Sequence, residues 1–205
     1  MNQNQKKFLG RNQSYREKVL IMATIAILSA LSVVMIMVVP TIPIFPAVSW
    51  MRYDMADVPI LVGSLLLCPL HGMIILVITA AIQAFPLGMD GILGFIMHVI
   101  ASGALLLIAS VIYRNKKTFA SLITGLILGS LGMTAIMVFW NLIITPIFLN
   151  APIDVVLSMM VPFIIPFNLI KAGLNSLITG VVFYSLKPLQ SKIFRLDNKK
   201  TGQHA

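Results

Sequence analysis

Residues 19–39 read VLIMATIAILSALSVVMIMVV, a run of 21 residues without a charge that ends before Pro40. A membrane helix needs about 20 residues, because roughly 30 Å of hydrocarbon is crossed at about 1.5 Å per residue. The run is too long for the apolar core of a signal peptide, and no A-x-A-like cleavage site follows it. We therefore interpret it as a first membrane span that is retained.

The rest of the chain has the same apolar character. Of its 205 residues, 59% are hydrophobic and only 10% are charged, whereas a soluble domain has about 25% charged residues. Five further apolar runs follow the first, at 58–70, 73–87, 92–113, 119–141 and 159–186. The sequence predicts an all-α integral membrane protein with six transmembrane helices, a long outer loop between helices 1 and 2, and no soluble catalytic domain.

Charge decides whether the short runs 58–70 and 73–87 are two spans or one kinked span. Positive residues stay on the cytoplasmic side of short loops. With six spans, thirteen of the fifteen Lys and Arg residues lie inside and Arg52 lies outside, whereas five spans would separate the two basic ends. We therefore expect the protein to lie in the plasma membrane with both termini in the cytoplasm. The predicted units are a basic segment 1–18, a membrane domain 19–187 and a basic, disordered tail 188–205.

The same pattern excludes several classes of function. The net charge of +9 is spread over three short segments, so it is a topological signal and not a nucleic-acid surface. The single cysteine, Cys68, excludes an internal disulfide and a cysteine-based metal cluster. The P-loop, H-E-x-x-H and G-x-S-x-G patterns are absent. We expect no enzyme activity, no cofactor and no metal.

The last apolar run carries the most informative polar residues. Asn168, Lys171 and Asn175 are spaced i, i+3, i+7 and so share one helix face. A lysine near the bilayer centre costs at least about 2.5–3.5 kcal/mol, so it should face a cavity or a partner. The outer acidic residues all fall in predicted loops: Asp54, Asp57, Asp90 and Asp154. We therefore expect a ligand acceptor to satisfy Lys171; the alternatives are a backbone carbonyl, or snorkelling towards water.

Other polar residues are less specific. Asn141, beside Trp140, could add an amide to the same cavity or could cap the interface. Gln83 and His98 are lone polar residues, which hydrogen bonds between helices explain more simply than a ligand.

Two segments predict interactions outside the spans. Segment 41–57 contains prolines and apolar residues that would be unfavourable in water, so we interpret it as a lid over an outward-facing pocket, with a re-entrant piece as the alternative. Ala23, Ala26 and Ala30 form a small-residue stripe on the first span. Such a stripe allows close approach of another helix, from a partner or from the same chain.

Several motifs together resemble a known family. They are Ala26-x-x-x-Ala30, Asp54-Met-Ala-Asp57-Val-Pro59, the run from Gly91 to His98, and Pro166-Phe-Asn168-Leu-Ile-Lys171. Over roughly residues 15–190 the chain resembles the substrate-binding S components of energy-coupling factor (ECF) transporters, specifically the riboflavin type. In two places it departs from that pattern: Met55-Ala56 replaces Phe-Ser, and His98 stands in place of Asn.

The resemblance implies a protein that binds riboflavin from the outside and performs no chemistry. Its implied partners are the lipid bilayer, a coupling membrane subunit that docks on the alanine stripe, and two cytoplasmic ATPases. Lys171 and the asparagines would bind the carbonyl edge of the isoalloxazine, and the ribityl hydroxyls would face the loop. The implied substrate-binding residues are Lys171, Asn168, Asn141, Thr41, Ile44, Phe45, Ala47 and Asn175, and the implied docking residues are Ala23, Ala26 and Ala30.

Four alternatives stay open: an S component for another vitamin, a small secondary transporter working alone, a small membrane enzyme, and a structural assembly protein. An enzyme would need two titratable groups at one depth, and a proton-coupled transporter would need an intramembrane acid. The sequence indicates neither.

Overall fold

The computed structural model describes residues 3–39, 41–87 and 91–193, and these residues are mostly helical. The helices are α1 (Gln3–Val38), α2 (Asp57–Leu66), α3 (Pro69–Ala84), α4 (Gly91–Lys116), α5 (Phe119–Leu149), α6 (Ile153–Met159) and α7 (Ile165–Ile193). Between α1 and α2 lie the strands β1 (Ile42–Pro43) and β2 (Arg52–Tyr53), with a 3-10 turn (Pro46–Val48) between them. A π-helical turn (Met160–Ile164) joins α6 to α7.

Within the described part of the chain, four helical segments are long and apolar enough to cross a membrane: Glu17–Val38, Gly91–Lys116, Phe119–Leu149 and Ile153–Pro188. The other two predicted spans, 58–70 and 73–87, overlap α2, of 10 residues, and α3, of 16 residues, although α3 already begins at Pro69, inside the first of these runs. Both are shorter than the roughly 20 residues that a perpendicular span requires. The helical membrane class is thus confirmed, and the count of six spans and the cytoplasmic termini stay predictions.

Some predicted boundaries were wrong. The fifth helix was expected to end near residue 141, yet α5 continues through Pro146 to Leu149, and Asn150 ends it in a left-handed conformation with φ of 49°. A proline inside a helix removes one backbone donor and crowds the carbonyl four residues earlier, but membrane helices tolerate it where neighbouring groups satisfy the freed backbone. At the chain ends, α1 already begins at Gln3, inside the predicted basic segment, and α7 continues to Ile193, beyond residue 187. The rest of the predicted tail, residues 194–205, and Asp90 lie outside the described residues.

Glycines bring the backbones of α4 and α5 into direct contact. A Cβ atom on Gly125 would lie 2.7 Å from the carbonyl oxygen of Ala109, and one on Gly129 would lie 2.8 Å from that of Leu105. Small residues permit this approach, and the large side chains of the core then pack on either side. The central cluster, which includes Ile60, Leu76 and Met133, is buried between α2, α3, α4 and α5.

The segment between α1 and α2 is folded against the helices. Strands β1 and β2 pair antiparallel, with Ile42 opposite Tyr53. Val48 and Met51 are buried against residues of α6, the π-helical turn and α7. The ring of Phe45 meets that of Phe163 edge-on, with centroids 5.6 Å apart. This explains why so apolar a connector is tolerated: Val48 and Met51 are buried and Phe45 is partly buried against the helices, although Ile42 is exposed.

The glycine contacts predict a difference between two identical substitutions. Gly125→Ala places a methyl group against the backbone of α4, and overpacking of this kind costs about 1–3 kcal/mol. Gly173→Ala, in α7, meets nothing within 4 Å and serves as the matched control. We expect a lower midpoint of thermal unfolding for Gly125→Ala alone, measured in detergent by size-exclusion chromatography after heating. Equal midpoints for the two variants would contradict the close packing of α4 and α5.

Candidate functional site

We call residues 41–54, which contain β1 and β2, the β1–β2 segment. A cavity of about 160 Å³ lies between this segment and helices α3, α4, α5 and α7. Much of its lining is apolar or aromatic, with Trp50, Phe95, Met133, Met137 and Phe167 among its walls. Its polar lining residues are Thr41, Arg52, Asp54, Gln83, His98, Ser102, Asn141, Thr145, Asn168 and Lys171. Ligand pockets generally combine an apolar surface with a few placed polar groups, and this cavity has both.

Lys171 forms a buried ion pair in this cavity. Its Nζ donates to Asp54 Oδ2 at 2.9 Å, and the side chains are 14% and 8% exposed. The expectation that Lys171 would have no acidic residue at its depth was therefore wrong. Asp54 follows β2 directly, and because the β1–β2 segment folds inward, the carboxylate reaches α7. Asp54 was predicted to lie in an outer loop because the sequence does not show that this segment folds inward.

A second carboxylate, Asp57, is fully buried behind the ion pair in the first turn of α2. Its Oδ1 accepts hydrogen bonds from His98 Nε2 at 3.0 Å and from Ser102 Oγ at 2.5 Å. Its Oδ2 accepts from Asn175 Nδ2 at 3.1 Å. A buried carboxylate is tolerated when its lone pairs are satisfied in this way, and the N-terminus of a helix favours it further.

Asn175 joins the Asp57 carboxylate to the β1–β2 segment. Its Nδ2 also lies 3.4 Å from the carbonyl oxygen of Asp54, and its Oδ1 accepts from the Tyr53 hydroxyl at 2.9 Å. Burial, and then the charges of Asp54 and Asp57, raise the pKa of Tyr53 above its usual value, so this hydroxyl keeps its proton. We call the connected set the buried network: Tyr53, Asp54, Asp57, His98, Ser102, Lys171 and Asn175.

Two asparagines complete the wall around Lys171. Asn141 Nδ2 donates to the Met137 carbonyl at 2.7 Å, and Asn168 Nδ2 donates to the Ile164 carbonyl at 2.8 Å. Both residues are almost fully buried and line the cavity. Because α5 continues eight residues beyond Asn141, that residue does not cap the end of the helix, which was the alternative interpretation.

The predicted substrate-binding residues divide into three groups. Thr41, Asn141, Asn168 and Lys171 line the cavity. Asn175 is fully buried in the network and does not line the cavity. Ile44, Phe45 and Ala47 belong to the β1–β2 segment, but they too lie outside the lining; Ile44 and Phe45 pack into the cluster around Val48, and Ala47 is exposed.

Five cavity or network residues were not predicted at the site: Asp54 and Asp57 were assigned to an outer loop, Gln83 and His98 to hydrogen bonds between helices, and Ser102 was not singled out. The motif Asp54-Met-Ala-Asp57-Val-Pro59 was a signal for the two acids, but α2 begins only at Asp57, so helix periodicity could not show that Asp54 lies at the same site. His98 does make the expected hydrogen bond between helices, to Asp57, and it also lines the cavity.

On α1, Ala23, Ala26 and Ala30 are all exposed, whereas Ser29 and Ser32 are buried. Among the residues that the structure describes, no other helix therefore buries the alanine stripe.

Comparisons with known proteins agree with this architecture. The family model described as the substrate-specific component of ECF transporters matches residues 21–183. The riboflavin transporter RibU of Staphylococcus aureus (strain TCH60) is 30% identical over 190 residues, 90% of this chain and 99% of that protein. The riboflavin transporter FmnP of Bacillus subtilis (strain 168) is 28% identical over 154 residues, 70% of this chain and 81% of that protein.

A solved structure, described as the S component of a bacterial ECF transporter, superposes with a TM-score of 0.70 at 28% identity. The match covers 84% of this chain and 98% of the solved one. The chain therefore belongs to the family of membrane-embedded, substrate-specific S components of ECF transporters.

Proposed function

We propose that this S component binds riboflavin, takes it from the outside of the plasma membrane and presents it to an ATP-driven module made of other chains. The observation that carries the proposal is the wall formed by Asn141, Asn168 and Lys171 beside an aromatic and aliphatic cavity. Two relatives over most of this chain are riboflavin transporters by name, which supports the same ligand.

The donors and acceptors of this wall match one edge of riboflavin. A lysine ammonium has three donors, and Asp54 occupies one of them, so the others can bind the N1/C2-carbonyl side of the isoalloxazine. The Oδ1 atom of Asn168 accepts no hydrogen bond from the described chain and can receive a ligand N–H. Aromatic and methionine side chains can then cover the dimethylbenzene end.

The ion pair changes how Lys171 would work. Lys171 does not depend on a ligand for its charge to be satisfied, because Asp54 already balances it. Asp54 instead holds the ammonium in place before the ligand arrives, which lowers the ordering cost of binding. A balanced pair also suits a ligand that is itself neutral.

The β1–β2 segment is the wall that we propose to move. A cavity of about 160 Å³ is below the roughly 300–1,000 Å³ of typical ligand sites, so a tricyclic ligand requires an opening. The segment contributes Thr41, Trp50, Met51 and Arg52 to the lining, and its own backbone pairing is limited to two-residue strands. It is therefore suited to act as the lid.

Asp54 and Asp57 reopen one alternative, a proton-coupled transporter working alone, since both acids are buried among the helices. Both carboxylates, however, are already engaged by donors from the chain: Lys171, His98, Ser102 and Asn175. Such a saturated arrangement favours a structural role for the acids, and the S-component proposal stands.

The first test concerns the ligand itself. The protein purified in detergent from cells supplied with riboflavin should be yellow and release a fluorescent flavin on denaturation. After removal of that flavin, added riboflavin should lose fluorescence in a saturable titration. A colourless preparation that quenches no added riboflavin would reject the assignment.

The ion pair allows stability and binding to be separated. Lys171→Met leaves Asp54 buried without its partner, which costs about 3–5 kcal/mol of stability. Asp54→Asn combined with Lys171→Met removes both charges and should restore most of the lost stability. Riboflavin affinity should stay at least about tenfold weaker in both proteins, because the charge-assisted hydrogen bonds to the ligand are gone.

These variants are measured by thermal unfolding and by fluorescence quenching, with Asp54→Asn alone as the control that keeps the ammonium. A double variant that is stable and binds riboflavin as tightly as the wild type would remove Lys171 from the site.

The partner proposal rests on the exposed alanine stripe. We propose that Ala23, Ala26 and Ala30 dock on the coupling membrane subunit, which also carries two cytoplasmic ATPases. Ala26→Leu should leave riboflavin binding intact and abolish uptake in cells that contain the whole complex. Ala135→Leu, a matching change at an exposed alanine of α5, is the control and should transport normally. Normal uptake by Ala26→Leu would exclude docking through this stripe.

A further inference from the structure

The end of the helix bundle opposite to the cavity carries a cluster of positive charge. The cavity is lined from the first half of α4, the second half of α5 and the beginning of α7, for example by Phe95, Asn141 and Asn168. The turn between α4 and α5 and the last part of α7 therefore lie at the other end of the bundle. In the predicted topology this is the cytoplasmic end.

Lys187 brings the last part of α7 to the turn between α4 and α5. Its Nζ donates to the carbonyl oxygen of Lys117 at 3.4 Å, which uses one of the three donors of the ammonium. Lys116 and Lys117 are both exposed on the turn. Three lysines from two separate parts of the chain therefore meet in one small area.

These three lysines are not neutralised by the chain. Within the described residues the ion pairs are Lys171 with Asp54 and His98 with Asp57, and neither involves the cluster. A concentration of unpaired charge of one sign attracts ions of the opposite sign. The cluster is therefore suited to bind an anion.

An exposed aromatic pair lies beside the lysines. The rings of Phe119 and Tyr184 meet edge-on with centroids 5.5 Å apart, and the two residues are 56% and 59% exposed. Phe119 follows Lys117 by two residues, and Tyr184 precedes Lys187 by three on α7. Aromatic side chains in such positions lie at the level of the lipid headgroups in membrane proteins. The pair thus places the lysines beside the headgroups of one leaflet.

Two simpler explanations do not account for this arrangement. The general preference of lysine for cytoplasmic loops explains Lys116 and Lys117, but it requires neither the contact from Lys187 nor the aromatic pair. The first turn of α5 is already capped, because Thr118 Oγ1 accepts from Ser121 N and Ser121 Oγ accepts from Thr118 N, both at 3.1 Å. The lysine side chains, and not the end of that helix, would therefore hold an anion.

We propose that Lys116, Lys117 and Lys187, together with Phe119 and Tyr184, form a binding site for the headgroup of an anionic phospholipid. The ammonium groups bind the phosphate, and the two rings contact the glycerol and the upper part of an acyl chain. Basic pockets between helices on the cytoplasmic side of membrane proteins bind such headgroups, and the cytoplasmic leaflet is the more anionic one. This inference goes beyond the proposed function and does not depend on which ligand the cavity holds.

The test replaces one lipid headgroup by another at constant total phospholipid. The protein is purified in detergent, and phosphatidylglycerol is exchanged stepwise for phosphatidylcholine while the midpoint of thermal unfolding is measured. Lys117→Gln and Lys187→Gln each remove one charge from the cluster. Lys18→Gln removes one exposed charge from α1 and is the matched control. A parallel series adds inorganic phosphate in place of phosphatidylglycerol.

We expect phosphatidylglycerol to raise the midpoint of the wild type by about 3–6 °C when it reaches about ten times its dissociation constant. Lys117→Gln and Lys187→Gln should each need about fivefold more phosphatidylglycerol for the same rise, because each lysine near the headgroups contributes to the attraction. Lys18→Gln should match the wild type within about twofold, and riboflavin affinity should be unchanged in all three variants.

Four results would overturn the lipid site. They are an equal midpoint in both lipids for the wild type, an equal loss in Lys18→Gln and Lys117→Gln, the same rise with inorganic phosphate alone, and a full lipid response in cluster variants that no longer support uptake by the whole complex. The last result would make the cluster a surface for protein docking. If Lys187→Gln fails to fold, Lys117→Gln carries the comparison, because the Lys117 side chain makes no hydrogen bond in the described part of the chain. Failure of the protein to bind riboflavin would bear on the proposed function alone.

Discussion

A lysine and an aspartate, paired among apolar helices, impose the main constraint on this structure. Lys171 and Asp54 are separated by 117 positions in the sequence, and their charged atoms lie 2.9 Å apart. An unpaired charge at this position would be very costly, so the segment that carries Asp54 must reach α7 whenever the protein is folded. The position of α2 follows, because Asp57 lies only three residues further on and is held by Asn175 of the same helix.

As a result, the β1–β2 segment is attached to the helices in two different ways. Its C-terminal end is held by hydrogen bonds, from Lys171 to Asp54 and from Tyr53 to Asn175. Its middle is held by apolar contacts, including Val48 and the ring of Phe45 against Phe163. Hydrogen bonds and ion pairs are directional, whereas hydrophobic contacts are not, so the middle can separate from the helices while the end stays in register. A segment built in this way can act as a lid with a fixed hinge.

The sequence predicted the helices well and the site only in part. Apolar length was sufficient for the long helices: the run 92–113 corresponds to α4, Gly91–Lys116. Spacing along one helix also placed Asn168 and Lys171 in a common cavity. The ion pair was missed because hydropathy assigns polar residues between spans to the surface, and it contains no information on a segment that folds back inward. The extension of α5 to Leu149 was missed because Pro146 was taken as a break.

Asn175 was predicted to line the substrate cavity, and its actual position shows how far that cavity extends along α7. The i, i+3, i+7 spacing correctly put it on the face of Lys171, but one turn further along α7 that face meets Asp57 and Tyr53 and no longer lines the cavity. The same helix face therefore runs from the cavity into the buried network. A ligand can shift a conformational equilibrium only by as much as its affinity differs between the two states. The Lys171–Asp54 pair is the same in both states when the C-terminal end stays in register, so the difference would come from the moving part of the segment, which lines the cavity with Trp50 and Met51. In the proposed function, closure of the lid and occupation of the cavity would then stabilise each other through these side chains.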